Sequence, residues 1–350
     1  MGSIEAEYRA VREAVGLLDR AAAGKLALRG SERFSWLQGM VSNDVRLLEQ
    51  GTKRLLACVL NATGHVLTDL ALVDVRGANP LASALGFPEP DFVLADLPRV
   101  TLDKIADLFD RYIIMEDVEI EDVSDRLGCF SLQGPRAADF WRPDANNLPE
   151  RIRESVYAVE ADHTGSGGCD LYFSSTQAET VREALREAGV VEVGAEAQEV
   201  LRVEAGIPRY GAELDESVIA LEAGLGPTHI SLTKGCYVGQ EIIARIDSRG
   251  HTNRALTGLI LSGALPVPGD KIYPLPTSED QEPREVGRLT SVVASAPAAG
   301  GRPIALGYVR HEHRTPGTPL LLRGEAQQTE AEVVSLPLSF SSVYTGSARP

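Results

Sequence analysis

Cysteine, aromatic residues and positive charge are all scarce in this chain of 350 residues. Its 4 cysteines lie far apart and none belongs to a CxxC pair, which argues against a disulfide framework and a thiolate metal cage. Aromatic residues make up only 5%, too few to supply many base-stacking platforms. Lysine and arginine number 34 against 50 acidic residues, and the net charge of −16 repels phosphate backbones. Direct binding to nucleic acid is therefore not expected.

Long apolar segments are also missing from the sequence. No run approaches the ~20 apolar residues that are needed to cross a bilayer. The first residues, MGSIEAEYRAVREAVGLLDR, are charged and amphipathic, without the continuous apolar core of a signal peptide. We therefore expect a cytoplasmic protein that has no membrane partner.

The residues that are present fit a globular protein of mixed structure. Hydrophobic residues make up 43% and charged residues 24% of the chain, and its length suggests two or three packed units. Apolar spacing predicts helices at 4–18 and 98–113, and a pair of strands within 55–75. Beyond residue 255, short strands alternate with Gly- and Pro-rich turns, which predicts a small antiparallel barrel or sandwich. The predicted fold class is α+β with a strand-rich C-terminal domain.

The most unusual local sequence is KGCYVGQE, residues 234–241. Two glycines allow backbone conformations that are closed to other residues. Lys234 could favour the thiolate form of Cys236, which is the nucleophilic form. Alternatively, the segment is a tight loop before a helix and Cys236 is a small buried hydrophobe, as isolated cysteines more often are. Composition alone leaves both interpretations open and favours the second.

Two carboxylates stand in similar surroundings, Glu204 in LRVEAGIPRYG and Glu222 in IALEAGLGP. A carboxylate that accepts from two adjacent N–H donors suits the planar edge of an aminopyrimidine or a guanidine. The neighbouring glycine lets the backbone approach a ligand closely. Taken singly, Glu204 is better explained as an exposed helix position and Glu222 as a turn residue.

A third acid, Asp69, interrupts the apolar strand pattern LTDLALV. A carboxylate in such a strand must be solvated, paired or poised for proton transfer. His311 and His313 could share one face of a strand, but no third ligand accompanies them, so no metal site is predicted.

These segments together resemble a known family. KGCYVGQE resembles the signature of the YgfZ-type folate-binding proteins, which are relatives of the glycine-cleavage T-protein, a tetrahydrofolate-dependent aminomethyltransferase. Further blocks follow in the family's order: EYRAVREAVGLLDR, LRGSERFSWLQGMVSNDV, LNATGHVLTDLALV, LRVEAGIPRYGAELDES, LEAGL and IALGYVR. The blocks run from about residue 7 to 310 and so cover nearly the whole chain. The octapeptide is highly specific, whereas both branches share the other blocks.

The resemblance implies a fold of three domains in a cloverleaf-like ring that holds folate, with an antiparallel β-barrel at the C-terminus. On that pattern the chain divides into a folate-binding core, an inserted α+β domain, the barrel and a tail. The expected boundaries are 1–50 with 120–252, 51–119, 253–340 and 341–350.

The resemblance also implies roles for individual residues. Glu204 would hold the amino-pyrimidine edge of the pterin, and Glu222 would shape the same pocket. Asp69 would contact the folate or relay a proton, and Cys236 would act as a thiolate. Lys234 would tune the charge of Cys236, and Tyr237, Gln240 and Glu241 would orient the loop. All four are expected at the folate-binding site.

Two departures from the T-protein pattern favour the YgfZ branch. The T-protein carries an Asp-Asp pair where this chain has Thr68-Asp69, and Cys236 has no equivalent in the aminomethyltransferase branch. YgfZ-type proteins support the assembly or repair of certain iron–sulfur enzymes and are linked to tRNA modification through them. We therefore expect a tetrahydrofolate-binding protein that assists iron–sulfur protein maturation, with iron–sulfur client proteins as partners. The alternatives are a folate-dependent one-carbon transferase or demethylase that uses Asp69 as base, and a scaffold whose pocket is vestigial.

Overall fold

The computed structural model describes residues 3–142, 147–275, 283–324 and 328–338. The predicted tail, 341–350, lies outside these ranges. The chain divides into two units: the first comprises 1–198 and 226–242, and the second comprises 199–225 and 243–350. The predicted domain boundaries stay a prediction.

The helices and strands that lie in the first unit or begin there form two sheets and their coverings. In chain order they are α1 (Ile4–Glu13), β1 (Gly16–Asp19), β2 (Gly24–Arg29), α2 (Arg33–Met40), α3 (Arg46–Glu49), β3 (Arg54–Leu60), β4 (Val66–Val75), α4 (Pro80–Leu85), β5 (Phe92–Leu97), α5 (Leu102–Tyr112), β6 (Glu119–Asp122), β7 (Leu127–Gln133), α6 (Ala138–Trp141), α7 (Glu150–Arg153), β8 (Val156–Glu160), β9 (Gly168–Ser174), α8 (Ala178–Glu187), β10 (Val191–Glu192), α9 (Ala195–Ala205), α10 (Gly226–His229) and α11 (Gln240–Arg249).

The first sheet has the strand order β10-β1-β7-β9-β8. Its strand β1 corrects the predicted helix over 4–18, because α1 ends at Glu13 and the next residues are extended. Strand β1 pairs antiparallel with β7 and parallel with β10. A Cβ atom at Gly16 would lie 2.6 Å from side-chain atoms of both Val11 and Val193, so this close packing needs glycine. Sheet pairing outweighs the helical spacing of the apolar residues here.

The second sheet has the order β3-β4-β5-β2-β6. Strands β3 and β4 form the hairpin that was predicted around the turn at 61–64, and the Asn61 side chain accepts the N–H groups of Thr63 and His65 at 2.9 and 3.0 Å. One face of this sheet packs against α2, α3 and α5, with Trp36 and Phe109 in the core. Helix α5, preceded by a 3₁₀ turn at Arg99–Thr101, confirms the helix predicted over 98–113.

The two sheets share a core on their facing sides. It contains Ala27, Val73 and Leu94 from the second sheet and Cys129 and Tyr172 from the first. One strand of this layer also carries Asp69, a candidate residue from the sequence.

The second unit is built around a closed antiparallel barrel with the strand order β11-β14-β13-β12-β15-β16. The strands are β11 (Arg254–Ser262), β12 (Lys271–Pro274), β13 (Gly287–Ala296), β14 (Arg302–Arg310), β15 (Pro319–Arg323) and β16 (Gln328–Val334). Apolar side chains that include Leu259, Ile272, Leu289 and Val333 form its core. The predicted α+β class and the C-terminal antiparallel barrel are both confirmed. No helix within the described ranges is long and apolar enough to cross a membrane.

Candidate functional site

Strand β4 places Asp69 on the side of the second sheet that faces the first sheet. Cys58 of β3 lies directly opposite it in the antiparallel register. Side chains alternate along a strand, so Asp69 shares its face with Val73. Because Val73 belongs to the core between the sheets, the carboxylate continues an otherwise apolar layer.

The surroundings of Asp69 hold its carboxyl group in an unusual state. The residue is half-buried, and its Oδ1 is shielded from solvent without a hydrogen-bond partner among the described residues. Burial raises the pKa of Asp69 to about 6. A hydrogen bond from its own backbone N–H and the positive charge of Arg20 lower the pKa, whereas the negative charge of Asp96 raises it further. A carboxyl group with this pKa exchanges its proton near neutral pH, as a general acid or base must.

Three side chains that sequence reasoning missed lie beside Asp69. Asp96 of β5 accepts from Arg20 Nη2 at 3.1 Å through Oδ1 and from the Tyr172 hydroxyl at 2.8 Å through Oδ2. Asp96 is only 4% exposed, and the ion pair with Arg20 compensates the negative charge of this buried acid. The signal was present in the sequence, because Asp96 interrupts the apolar run FVLADL just as Asp69 interrupts LTDLALV.

The segment KGCYVGQE forms a loop that leads into α11 and is anchored by its first residue. Lys234 is 4% exposed, and its Nζ donates to the backbone oxygens of Gln38, Val41 and Asn43 at 2.7, 2.6 and 2.8 Å. These carbonyls lie at the C-terminal end of α2 and just beyond it, where a cation is favoured. Burial lowers the pKa of Lys234 to about 8, against the opposing effect of Asp44. Lys234 therefore fixes the loop to α2, and its predicted effect on Cys236 stays a prediction.

Gly239 lets the loop approach the β3–β4 turn. Its φ is +83°, and a Cβ atom there would lie 2.5 Å from the backbone oxygen of Asn61. Gly235, at the other end of the motif, has no positive φ and no atom near its would-be Cβ. Of the two glycines that the sequence singled out, only Gly239 is required by geometry.

Cys236 is exposed, whereas Cys58, Cys129 and Cys169 are buried. The interpretation of Cys236 as a small buried hydrophobe is therefore wrong. The neighbouring Tyr237 is 8% exposed, and its hydroxyl is shielded without a hydrogen-bond partner in the described part of the chain. Burial raises the pKa of Tyr237 to about 12, with Cys58 contributing. Since Asp69 acts electrostatically on Cys58 as well, the Cys58 thiol lies within electrostatic range of both Asp69 and Tyr237.

Gln240 and Glu241 begin helix α11, where Gln240 is half-buried and Glu241 is exposed. These two residues, with Asp69, Lys234, Cys236 and Tyr237, all belong to the first unit. The structure brings the loop and the β3–β4 turn together there. The binding roles predicted for the loop residues stay predictions.

Glu204 lies in the last turn of α9, in the second unit, and its side chain is fully buried. Its Oε1 accepts the backbone N–H of Ala298 at 2.9 Å, so it is not the exposed helix position that composition favoured. Its backbone oxygen accepts the N–H of Leu338 at 2.8 Å. The hydrogen bond to Ala298 joins α9 to the turn before strand β14, and the pterin-binding role of Glu204 stays a prediction.

Glu222, also in the second unit, forms an ion pair with Arg254 at 3.0 Å and is 8% exposed. Its backbone oxygen accepts the N–H of Leu256 at 2.8 Å. The residue therefore joins the preceding turn to strand β11 and lies where the sequence placed it, in a turn. Across the described ranges, no group of three or more histidine, cysteine, aspartate or glutamate side chains could hold a metal ion.

Comparison with known proteins places the chain in a family. Residues 1–146 and 151–234 match the GCVT N-terminal domain, and residues 254–339 match the glycine cleavage T-protein C-terminal barrel domain. The chain belongs to the GCVT family. The resemblance to relatives of the T-protein is thereby confirmed at the level of the family.

Individual GCVT-family relatives are similar over nearly the whole chain. An aminomethyltransferase of Chloroherpeton thalassium is 28% identical over 95% of this chain and 89% of its own length. An aminomethyltransferase of Nostoc sp. is 26% identical over 97% of this chain and 88% of its own length. The crystal structure of the glycine cleavage system aminomethyltransferase T from Bartonella henselae superposes with a TM-score of 0.78 at 20% identity, over 96% of this chain and 90% of that one. This likeness shows that the fold is shared.

Proposed function

We propose that this GCVT-family protein binds tetrahydrofolate, or a one-carbon derivative of it, and transfers a one-carbon group with Asp69 as the proton-handling residue. Curated relatives that align over nearly the whole chain are named aminomethyltransferase, which supports this class of reaction. The observation that carries the role of Asp69 is its shielded, unpartnered Oδ1 on a carboxyl group whose pKa burial raises to about 6.

Two shielded polar groups of the first unit support a ligand that is rich in N–H and C=O groups, such as a reduced pterin. Such a ring carries several N–H and C=O groups, and the shielded Asp69 Oδ1 and Tyr237 hydroxyl have no partner among the described residues. Shielded polar atoms without a partner are costly, so a ligand that satisfies them is bound more tightly. By the family resemblance, Glu204 and Glu222 would hold the pterin. When bound, tetrahydrofolate would supply the amine nitrogens that carry the one-carbon unit.

The protein's own residues then divide the acid–base work. With a pKa of about 6, Asp69 is mostly ionised at neutral pH, and its carboxyl group can take up a proton and return it. Tyr237, whose pKa burial raises to about 12, stays protonated and serves as a hydrogen-bond donor.

Folate binding is tested by calorimetric titration with tetrahydrofolate. Glu204→Gln keeps an oxygen for the Ala298 N–H but loses the charge, so we expect binding to weaken by about 10-fold or more. The matched control is Glu196→Gln, an exposed position in the same helix, which should leave binding within about two-fold. Absence of saturable binding by the wild-type protein would overturn the proposal.

The role of Asp69 is tested in a reaction in which an aminomethyl thioether donates its carbon to tetrahydrofolate. The C–S and C–NH2 bonds break, the carbon bridges two folate nitrogens, and ammonia and the free thiol are released. We expect Asp69→Asn to keep tetrahydrofolate binding within about three-fold and to lower the transfer rate by about 100-fold or more. A variant that transfers at the wild-type rate would show that Asp69 is not the proton-handling residue.

The exposed Cys236 favours a second candidate function. In a chain whose other three cysteines are buried, the one accessible thiol lies in the octapeptide that resembles the YgfZ signature. On this alternative, the protein binds folate in the cytoplasm and assists the maturation or repair of iron–sulfur client proteins. In a strain that lacks the gene, activity of an iron–sulfur enzyme should then be restored by Asp69→Ala but not by Cys236→Ala. Restoration by Cys236→Ala and not by Asp69→Ala supports one-carbon transfer instead.

A further inference from the structure

The ion pair of Arg20 and Asp96 lies beside Asp69. The inference that we draw from it rests on the proposed function and deepens it. Arg20 Nε and Asp69 Oδ1 are both shielded from solvent without a hydrogen-bond partner among the described residues. Within the described residues, the guanidinium of Arg20 makes one hydrogen bond, from Nη2 to Asp96 Oδ1 at 3.1 Å. Asp96 is fixed in turn by the Tyr172 hydroxyl at 2.8 Å.

The sheet register places the two acids on one face. Asp96 of β5 lies opposite Ala71 of β4, which is two residues from Asp69. Because side chains of a strand alternate between faces, Asp69, Ala71 and Asp96 project to the same side of the sheet. Asp96 has an arginine partner, whereas no ion pair of Asp69 is found in the described ranges. One acid therefore carries a compensated charge, and the other is left to titrate.

We propose that Arg20 is a positioning residue whose charge, held in place by Asp96 and Tyr172, decides the protonation state in which Asp69 meets its substrate. A cation beside a carboxyl group favours the ionised form, and a second carboxylate disfavours it. The direction of both effects on Asp69 agrees with this arrangement, because Arg20 lowers the pKa of Asp69 and Asp96 raises it.

Charged and titratable groups near Asp69 and Arg20 also come from the neighbouring strands. From β9 comes Asp170, which acts electrostatically on Arg20 and pairs with His163 Nε2 at 3.0 Å. From β3 come Cys58, opposite Asp69, and Arg54, which lies four residues away on the same face. From β2 comes Lys25, opposite Asp96, whose Nζ donates to the backbone oxygens of Ala21 and Ala23 at 3.2 and 2.9 Å. Burial raises the pKa values of Cys58, Tyr172 and Tyr237, so these groups stay protonated near neutral pH.

The test is a direct titration of Asp69 by carboxyl ¹³C NMR on protein labelled at aspartate, with the signal assigned through Asp69→Asn. We expect Arg20→Met to raise the titration midpoint of Asp69 by about one pH unit. Arg20→Lys keeps a positive charge and should hold the midpoint close to the wild-type value. Asp96→Asn removes the opposing charge and should lower the midpoint. The control, Arg111→Met, removes an exposed arginine of the same unit and should move the midpoint by less than about 0.3 unit.

Opposite shifts in the Arg20 and Asp96 variants support the proposal, because loss of packing alone would move both midpoints in the same direction. Shifts in the same direction, or an Arg20→Met midpoint within about 0.3 unit of the wild type, would overturn it. If Arg20→Met does not fold, Arg20→Gln removes the same charge and replaces it in the comparison with Asp96→Asn. Tetrahydrofolate titration of the wild type is scored separately. Absence of folate binding with opposite midpoint shifts would refute the proposed function and leave the electrostatic coupling established.

Discussion

Replacement of Lys234 by methionine tests how the KGCYVGQE loop is held in place. The substitution keeps an unbranched side chain of similar length but removes the ammonium group that donates to three backbone oxygens. Because a hydrogen bond to a charged group is worth roughly 1.5–3 kcal/mol, the three bonds contribute about 6 kcal/mol. Burial of the ammonium group opposes this, as the pKa of Lys234, lowered to about 8, indicates, and methionine avoids that cost. The expected loss of unfolding free energy is therefore at least about 3 kcal/mol.

The assay is urea unfolding followed by tryptophan fluorescence, together with the rate at which Cys236 reacts with a thiol reagent. Trp36 lies in α2, whose C-terminal end Lys234 contacts, so its fluorescence reports on the affected segment. Lys53→Met, at an exposed lysine of the same unit, should change stability by less than about 0.5 kcal/mol. If Lys234→Met unfolds within about 0.5 kcal/mol of the wild type and its Cys236 reacts no faster, the anchoring role is refuted.

Three further predictions concern the same region. Burial raises the pKa of Asp69 from 3.8 to about 6, so between these values the folded protein keeps a proton that the unfolded chain loses, and stability falls as pH rises. Asp69→Asn should therefore stabilise the protein more at about pH 7.5 than at about pH 4, and the gain in unfolding free energy should differ by about 2 kcal/mol. An equal effect at both pH values, or the same trend in the exposed control Asp107→Asn, contradicts this. The native protein should show one fast-reacting thiol, absent from Cys236→Ser, and four after denaturation, since the other three cysteines are buried; a fast thiol that persists in Cys236→Ser would refute this. Gly239→Ala should destabilise the protein by about 2–4 kcal/mol in urea unfolding, through its positive φ and a contact of 2.5 Å, whereas Gly235→Ala should be tolerated; equal effects of the two changes would contradict the assignment.

Local pattern predicted much of the fold because several elements are specified by nearby residues. The hairpin of β3 and β4 has alternating apolar residues and a turn that Asn61 and Gly64 stabilise within a few residues. Helix α1 was predicted too long, because β1 depends on partners at residues 133 and 191, far away in the sequence. Such pairing leaves no local signal.

The candidate site was predicted in part. Asp69 was found because a carboxylate in an apolar strand stands out in sequence, and Asp96 could have been found in the same way. Arg20 could not, since its meaning depends on Asp96, which is 76 positions away in the sequence. The anchoring contacts of Lys234 likewise join it to residues near 190 positions away. Sequence reasoning can recognise an unusual residue, but only the fold shows which groups compensate its charge.

Whether the chain binds a reduced folate is decided by calorimetric titration of the wild-type protein with tetrahydrofolate, beside Glu204→Gln and Glu196→Gln. We expect a saturable isotherm with one ligand per chain that is lost or strongly weakened in Glu204→Gln and kept in Glu196→Gln. A flat titration of the wild type, or an isotherm that both variants share with it, would contradict this expectation.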